Sequence, residues 1–334
     1  MKIGIIGLPN VGKSSLFNLL TNARAQVAKF PFTTIDRNIG VVTIPDERLA
    51  NIVKITQSPK VRCASIDLCD IAGLIKGAHT GEGLGNKFLS HIRDVDLIIH
   101  LLRCFADPDI PHTESSIVPQ ANYEVVRTEL FLSDIEIVER RIEKIKKKAE
   151  CREEFETLEK IRDSLNQERI PRETIPDLPL LSTKPEVIVL NLDEDGKFQN
   201  GIDGYRLSVK LEEDILEFTE DEKRDLRTQS NVTPGGLEGL LEICMQRLAI
   251  GLFYTIKGDE ARAWLMRSGT KAIDAAALIH TDLKKGFIKA EVLRYEDFMK
   301  ARGFTEAQHS GLTKIEGKEY CVQDGDILLI KFRD

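Results

Sequence analysis

The chain opens on a short apolar run, Lys2–Ile6, and similar runs recur at Ile39–Ile44, Ala64–Cys69, Leu97–Leu102, Val187–Leu190 and Tyr205–Val209, separated by segments of helical period. Runs without polar alternation read as strands covered on both faces, and their alternation with helices predicts a doubly wound, mostly parallel α/β sheet. From Phe131 the pattern changes. Phe131, Ile135, Val138, Ile142, Ile145 and Ala149 step by four and three, and after a polar break near Arg152-Glu153 the stepping resumes at Phe155, Leu158, Ile161 and Leu165. This predicts an inserted antiparallel helical hairpin, ended by Pro171, Pro176 and Pro179. Thr233-Pro234-Gly235-Gly236 starts a helix expected to run to about Gly251. Beyond it Arg262–Met266, Ile288–Tyr295 and Ile327–Phe332 read as strands, with a helix-like Ala272–His280 and a tight turn at Asp324-Gly325-Asp326. The expected domains are 1–128 with 180–250, the insert 129–179, and a sheet-built tail 251–334.

Chemistry enters between the first strand and the first helix, where the chain reads Gly7-Leu8-Pro9-Asn10-Val11-Gly12-Lys13-Ser14-Ser15. Glycines let successive backbone N–H groups turn inward around an anion, and a helix N-terminus behind them favours negative charge. Lys13 is placed to reach the β- and γ-phosphates of a nucleoside triphosphate, and Ser14 to offer a hydroxyl to Mg²⁺. The third apolar strand ends in Asp70-Ile71-Ala72-Gly73, where a carboxylate holds Mg²⁺ through water and a glycine amide senses the γ-phosphate. Between the two lies Phe30-Pro31-Phe32-Thr33-Thr34-Ile35. Thr34 is the expected switch hydroxyl on Mg²⁺, with Thr33 its rival. Together these make a switch NTPase.

The base side departs from a GTPase. Where Asn-Lys-x-Asp would clamp guanine the chain has Asn191-Leu192-Asp193-Glu194. The lysine along the base is replaced by Leu192, and the carboxylate that meets the guanine N1–H and N2–H₂ becomes Glu194, one methylene longer. Displaced, it leaves the guanine donors poorly matched, and such mismatches discriminate strongly. Ser208-Val209-Lys210 follows the sixth strand and lends backbone donors near the base.

Taken together with the run Gly77-Ala78-His79-Thr80-Gly81-Glu82-Gly83-Leu84-Gly85-Asn86, these motifs resemble the Obg-like ATPase (YchF) family over essentially the whole chain. The resemblance implies an Obg-type P-loop domain, a helical hairpin insert, a C-terminal β-grasp TGS domain, ATP preferred over GTP, and association with ribosomes. The insert is shorter here than in many relatives. The resemblance also implies a role for His112, a histidine that the family is proposed to use in place of the water-orienting glutamine of Ras-like enzymes. That glutamine position is here Leu74, which neither donates nor accepts a hydrogen bond, so slow intrinsic turnover is expected. An imidazole titrates near neutrality and suits holding or deprotonating water. Asn10 in its Pro-Asn context also resembles GTPases that place K⁺ beside the phosphates, a second way to neutralise developing charge.

Composition limits the alternatives. The 334 residues are 42% hydrophobic and 30% charged, enough for two or three soluble domains, and the net charge of −7 argues against wholesale wrapping of nucleic acid. No apolar run approaches the roughly 20 residues needed to span a bilayer. Met1-Lys2 leads straight into a strand rather than a cleavable leader, so no membrane partner and a cytoplasmic location are expected. The six cysteines are scattered without zinc spacing and read as buried thiols. Basic residues nevertheless cluster. Arg140, Arg141, Lys144, Lys146, Lys147, Lys148 and Arg152 crowd the far end of the first insert helix, and Arg262, Arg267, Lys271, Lys284, Lys285 and Lys289 dot the tail. Interleaved glutamates make a solvated, salt-bridged face one reading; contact with ribosomal RNA phosphates is the other, by shape and charge and not by sequence-specific DNA readout.

Three functions remain in play: a slow Mg²⁺-dependent ATPase switch on the ribosome, a GTPase of the same type, and a nucleotide-gated ribosome adaptor with little turnover.

Overall fold

Among the described residues two sheets, each of six strands, organise the chain. The structure is a computed structural model and describes residues 1–22, 38–71, 84–107, 118–146, 151–196 and 201–333. In chain order the elements begin β1 (Lys2–Ile6), α1 (Lys13–Asn22), β2 (Asn38–Thr43), α2 (Glu47–Thr56), β3 (Lys60–Arg62), β4 (Ser65–Asp70), α3 (Leu84–Arg93) and β5 (Leu97–Cys104). They continue through α4 (Pro119–Ile145), α5 (Arg152–Asn166), β6 (Glu186–Leu192), β7 (Tyr205–Leu207), α6 (Val209–Asp214), α7 (Glu220–Gln229) and α8 (Gly236–Arg247). The last are β8 (Ile250–Lys257), β9 (Glu260–Arg267), α9 (Ala272–Ile279), α10 (Thr281–Lys285), β10 (Phe287–Arg294), α11 (Tyr295–Ala301), α12 (Phe304–His309), β11 (Lys314–Glu316) and β12 (Asp326–Phe332). No described helix is long and apolar enough to cross a membrane.

The chain divides into two units, 1–42 with 67–244 and 43–66 with 245–334. The first holds the sheet β2-β4-β1-β5-β6-β7. β1 runs parallel to both β4 and β5, β5 parallel to β6, and β6 parallel to β7. This is the doubly wound, mostly parallel α/β sheet that the apolar runs predict. All eight residues of β5 are buried, as a central strand covered on both faces requires. The connection from β1 leads to β2 at one edge, and that from β4 crosses to β5 on the other side of β1, so the crevice beyond the C-terminal end of β1 is where a ligand belongs.

α4 and α5 pack antiparallel. Thr128 on α4 donates to Glu168 just beyond α5 (3.1 Å), while Arg141, near the end of α4, donates to Glu154 at the start of α5 (2.8 Å). Phe131, Val138, Ile142 and Ile145 bury against Leu158, Ile161 and Leu165, the residues whose spacing predicted the pair. The expected boundary at 129 falls inside α4, which begins at Pro119: apolar spacing marks where a helix meets its partner, not where it starts.

The second unit forms the sheet β11-β10-β12-β8-β9-β3. β12 and β8 pair in parallel at its centre, β8 with β9 and β10 with β12 and β11 are antiparallel, and β3 joins β9 in parallel. One face packs Phe253, Ala290 and Leu328 against Ala272, Ala275 and Ala276 of α9. The other packs Tyr254, Ala263 and Ile327 against Leu49 and Ile52 of α2, Phe298 of α11 and Ala307 of α12.

Four expectations are corrected here. Of the cysteines read as buried thiols, Cys63 and Cys321 are exposed. Residues 43–66 were assigned with the nucleotide-binding residues, yet they pack into the second unit. Burying Leu49 and Ile52 there contributes about 1.5–3 kcal/mol each. Arg48 grips Asp324 through both terminal nitrogens (2.7 and 3.2 Å), and the Tyr254 hydroxyl donates to Asp46 (2.7 Å), the residue whose carboxylate also caps α2. The helix expected to reach Gly251 stops at Arg247, and Gly251 instead lies in β8, whose continuous apolar run does not distinguish helix from strand. Likewise the strand expected over 205–209 ends at Leu207, because Ser208 caps α6 by accepting from the Leu211 amide.

Candidate functional site

Between β1 and α1 the backbone turns back on itself, and two glycines make that possible. A Cβ on Gly7 would lie 2.4 Å from the Leu101 carbonyl oxygen, and one on Gly12, whose φ is +98°, would lie 2.6 Å from the Asn191 amide nitrogen. Asn10 takes the left-handed conformation between them (φ +62°). Lys13, the first residue of α1, folds over the loop: its ammonium donates to the Leu8 carbonyl at 2.8 Å and the Gly7 carbonyl at 3.2 Å. Burial lowers its pKa to about 8, against the opposing pull of Asp70. Ser14 donates to the Asp70 carboxylate at 2.9 Å, joining the helix start to the end of β4, whose Asp70 is in register with Ile5 of β1.

Across the sheet, Asn191 near the end of β6 closes the other side. Its amide nitrogen donates to the Val11 carbonyl at 2.9 Å, and its amide oxygen accepts from the Val209 N–H at 3.0 Å. Asn191 is 4% exposed, so it acts as a strut between the loop and the start of α6. Val209 is buried as the first residue of α6, and the Ser208 hydroxyl is consumed by the cap behind it. Leu192 is buried with Leu102, Cys104 and Leu211, an apolar floor where a GTPase has its lysine. Glu194 forms an ion pair with Lys210.

These residues line a cavity of about 630 Å³, with Asn10, Gly12 and Ser15 on the loop side and Asp193, Glu194 and Lys210 on the other. The volume lies within the ordinary range for small-molecule sites. Sequence reading missed its third wall, Phe105, Ala106 and Asp107 after β5. Buried Arg103 shapes that wall. It donates to the carbonyls of Phe105 and Asp107 (both 3.2 Å), and its guanidinium lies 4.5 Å from the centroid of the Phe105 ring. The available signal was position: the wall leaves a strand beside the topological switch point. Asp193 is tied to it by accepting from the Ala106 N–H (3.3 Å).

The structure thus brings together Asn10, Val11, Gly12, Lys13, Ser14, Ser15, Asp70, Asn191, Leu192, Glu194, Ser208, Val209 and Lys210 at one end of one sheet. Thr33, Thr34, Gly73, Leu74 and His112 lie outside the described residues. Among the described residues no group of three or more His, Cys, Asp or Glu is arranged to hold a metal ion. His100 is the core histidine its strand setting suggests, fully buried with Nδ1 2.8 Å from Glu186. On the far part of the helical pair Arg140, Arg141 and Arg152 are paired with Glu136, Glu154 and Glu156, as a solvated salt-bridged face requires.

Residues 2–138 match a family described as 50S ribosome-binding GTPase, and residues 250–333 match YchF-GTPase_C, described as a protein of unknown function (DUF933). The chain is 38% identical to the "Ribosome-binding ATPase YchF" of Bacillus subtilis (strain 168), covering 98% of each. It is 36% identical to the protein of that name from Escherichia coli O157:H7, covering 99% of each. Among solved structures it resembles the Schizosaccharomyces pombe YchF GTPase, with a TM-score of 0.84 and 31% identity over 99% of this chain and 97% of that one.

Proposed function

The chain belongs to the YchF family, and from that premise we propose that it binds ATP in preference to GTP, hydrolyses it slowly with Mg²⁺, and changes its hold on the ribosome as it does so. The observation that carries the reading is the cradle of Lys13, Ser14 and Asp70 beside a cavity lined by Asn10, Gly12, Ser15 and the Asn191 strut. On binding, the Lys13 ammonium would exchange the Leu8 and Gly7 carbonyls for phosphate oxygens, and the loop N–H groups would donate to the same anion.

The donor set suits Mg²⁺. A serine hydroxyl and a carboxylate, 2.9 Å apart, are hard oxygen ligands, and magnesium keeps most of its waters and takes only one or two protein oxygens beside phosphates. Ser14 would hold it directly, Asp70 through water, and Thr34 from the first switch; the chemistry it would supply there is neutralisation of phosphate charge. K⁺ beside Asn10 and an imidazole from His112 are the two candidates for the missing glutamine's work.

Adenine preference is supported by what the base side lacks. Glu194 is engaged by Lys210, and Leu192 offers the base an apolar surface, so the carboxylate of the base motif is not free to meet guanine N1–H and N2–H₂. Hydrolysis would release the switch threonines and Gly73 and so alter the surface offered to the ribosome. We read α4 with α5 as the family's hairpin insert. The second unit reads as its β-grasp TGS domain, on the strength of the parallel β8–β12 pair at the sheet centre and the helices between β9 and β10. Calorimetric titration of ATP and GTP with Mg²⁺ tests the assignment: ATP binds more tightly, and a tighter GTP complex overturns it.

A further inference from the structure

β3 carries a second arginine to the outer end of the second unit's sheet. In the parallel β3–β9 register Arg62 lies beside Arg262, and Lys60 beside Glu260. Partners in register share a sheet face, as do residues two apart on a strand, so Arg62, Arg262 and Trp264 project to one side. Like charges at facing positions destabilise a sheet, and the chain answers these only in part. Arg62 donates to Glu260 (3.1 Å), while Lys60 is taken up by Asp259 (2.7 Å). The side chain of Arg62 remains 63% exposed. Arg262 lies over Trp264 with its guanidinium carbon 3.7 Å from the ring centroid. Burial and the neighbouring Arg62 both press Arg262 below the usual guanidinium range, with Glu260 opposing.

The aromatic beneath is held rigid. Trp264 lies at 11° to buried Phe253, with centroids 6.2 Å apart, and its Nε1 donates to Thr255 (2.9 Å). A planar, cationic layer therefore sits on a fixed support, Trp264 packing against the cluster that includes α9 while Arg262 lies over its ring. Acidic peptides answer charge alone. Unpaired nucleotides answer both features, offering phosphates to the arginines and a flat π-face to the guanidinium–indole layer.

The geometry points to this face, Arg62, Arg262 and Trp264 with Lys257 at its rim, as a docking surface for unpaired RNA. It rests on the ribosome reading and deepens it by naming the chemistry that the second unit meets there. Because Arg62 comes from the segment between β2 and β4, the surface requires both chain segments of the unit.

Trp264 is the chain's single tryptophan, so intrinsic emission reports on this face alone. The full chain is titrated with an unstructured single-stranded RNA of about 12 nucleotides. The expected result is a saturable emission change that weakens about tenfold or more between about 50 and 200 mM salt, as release from roughly three phosphates implies. Arg62→Ala and Arg262→Gln each weaken binding about tenfold, with unchanged thermal melting and ATP affinity, while Arg262→Lys keeps the salt dependence and loses most of the emission change. An unchanged emission, parental affinity in both variants, or an equal response to an acidic peptide of the same charge overturns the inference. Cosedimentation of the parent chain with ribosomes separates the two readings. Sedimentation without an oligonucleotide response leaves the ribosome reading standing and removes this face; an oligonucleotide response without sedimentation does the reverse.

Discussion

The Asn191 amide nitrogen lies 2.9 Å from the carbonyl oxygen of Val11, joining residues 180 positions apart beside the cavity that Asn191 lines. In a GTPase-like frame this asparagine is usually discussed with the base. Here both ends of its amide are spent on backbone, at Val11 and Val209, so the phosphate loop and the start of α6 are fixed relative to each other before any ligand arrives.

Asn191→Ala is expected to destabilise the protein by about 1–3 kcal/mol, because a buried carbonyl and a buried N–H lose their partners together. Denaturant melts measure this. Gly12→Ala should weaken nucleotide binding through the same joint, since its Cβ would fall 2.6 Å from the Asn191 nitrogen at a φ of +98°. Wild-type ATP affinity in Gly12→Ala would remove the joint from the binding mechanism.

Lys13 gives a pH signature. Its folded pKa of about 8 lies below the ordinary lysine value of 10.5, so between these the unfolded chain binds more protons than the folded one. The stability of the nucleotide-free protein should therefore rise as pH climbs through that window, relieving the cost of a buried charge. Phosphates restore the protonated form, so nucleotide binding near pH 8.5 should take up a proton and near pH 6.5 should not. Titration in two buffers of different ionisation enthalpy reads the difference, and Lys13→Ala should abolish both the uptake and most of the affinity.

The start of α6 depends on a buried ion pair. Arg227 of α7 donates to both oxygens of Glu212 on α6, at 2.7 and 2.8 Å, with both side chains almost wholly buried. Arg227→Met leaves the carboxylate uncompensated and should cost about 3–5 kcal/mol, whereas replacing both partners with apolar residues should cost much less. Chemical denaturation of the single and double variants measures the contrast.

His112→Ala should slow single-turnover ATP hydrolysis, by about tenfold to a thousandfold if the imidazole holds or deprotonates water, while leaving ATP affinity unchanged. Rapid-quench measurement decides it. Equal rates with K⁺-dependent turnover would transfer the role to the cation beside Asn10.

What was legible in the sequence follows from range. The strands of the first sheet, the packed positions of α4 and α5, and the loop from Gly7 to Ser15 are set by spacing within a few residues, and periodicity and glycine placement record such constraints directly. So is the departure of Asn191-Leu192-Asp193-Glu194 from the Asn-Lys-x-Asp pattern. Three features were decided only in the tertiary structure. Asn191 looks like a base contact in a motif and becomes a strut only when β6 lies beside the loop. The wall at Phe105–Asp107 has no motif, being held by Arg103 reaching over its own following residues. Residues 43–66 lie between two strands of one sheet yet belong to another core, because Leu49 and Ile52 bury against Tyr254 and Ala263 and β3 pairs with β9. Apolar spacing says that a helix has a face to bury. Which distant surface buries it is settled by the free energy of packing two segments far apart in the chain, and that choice leaves no local mark.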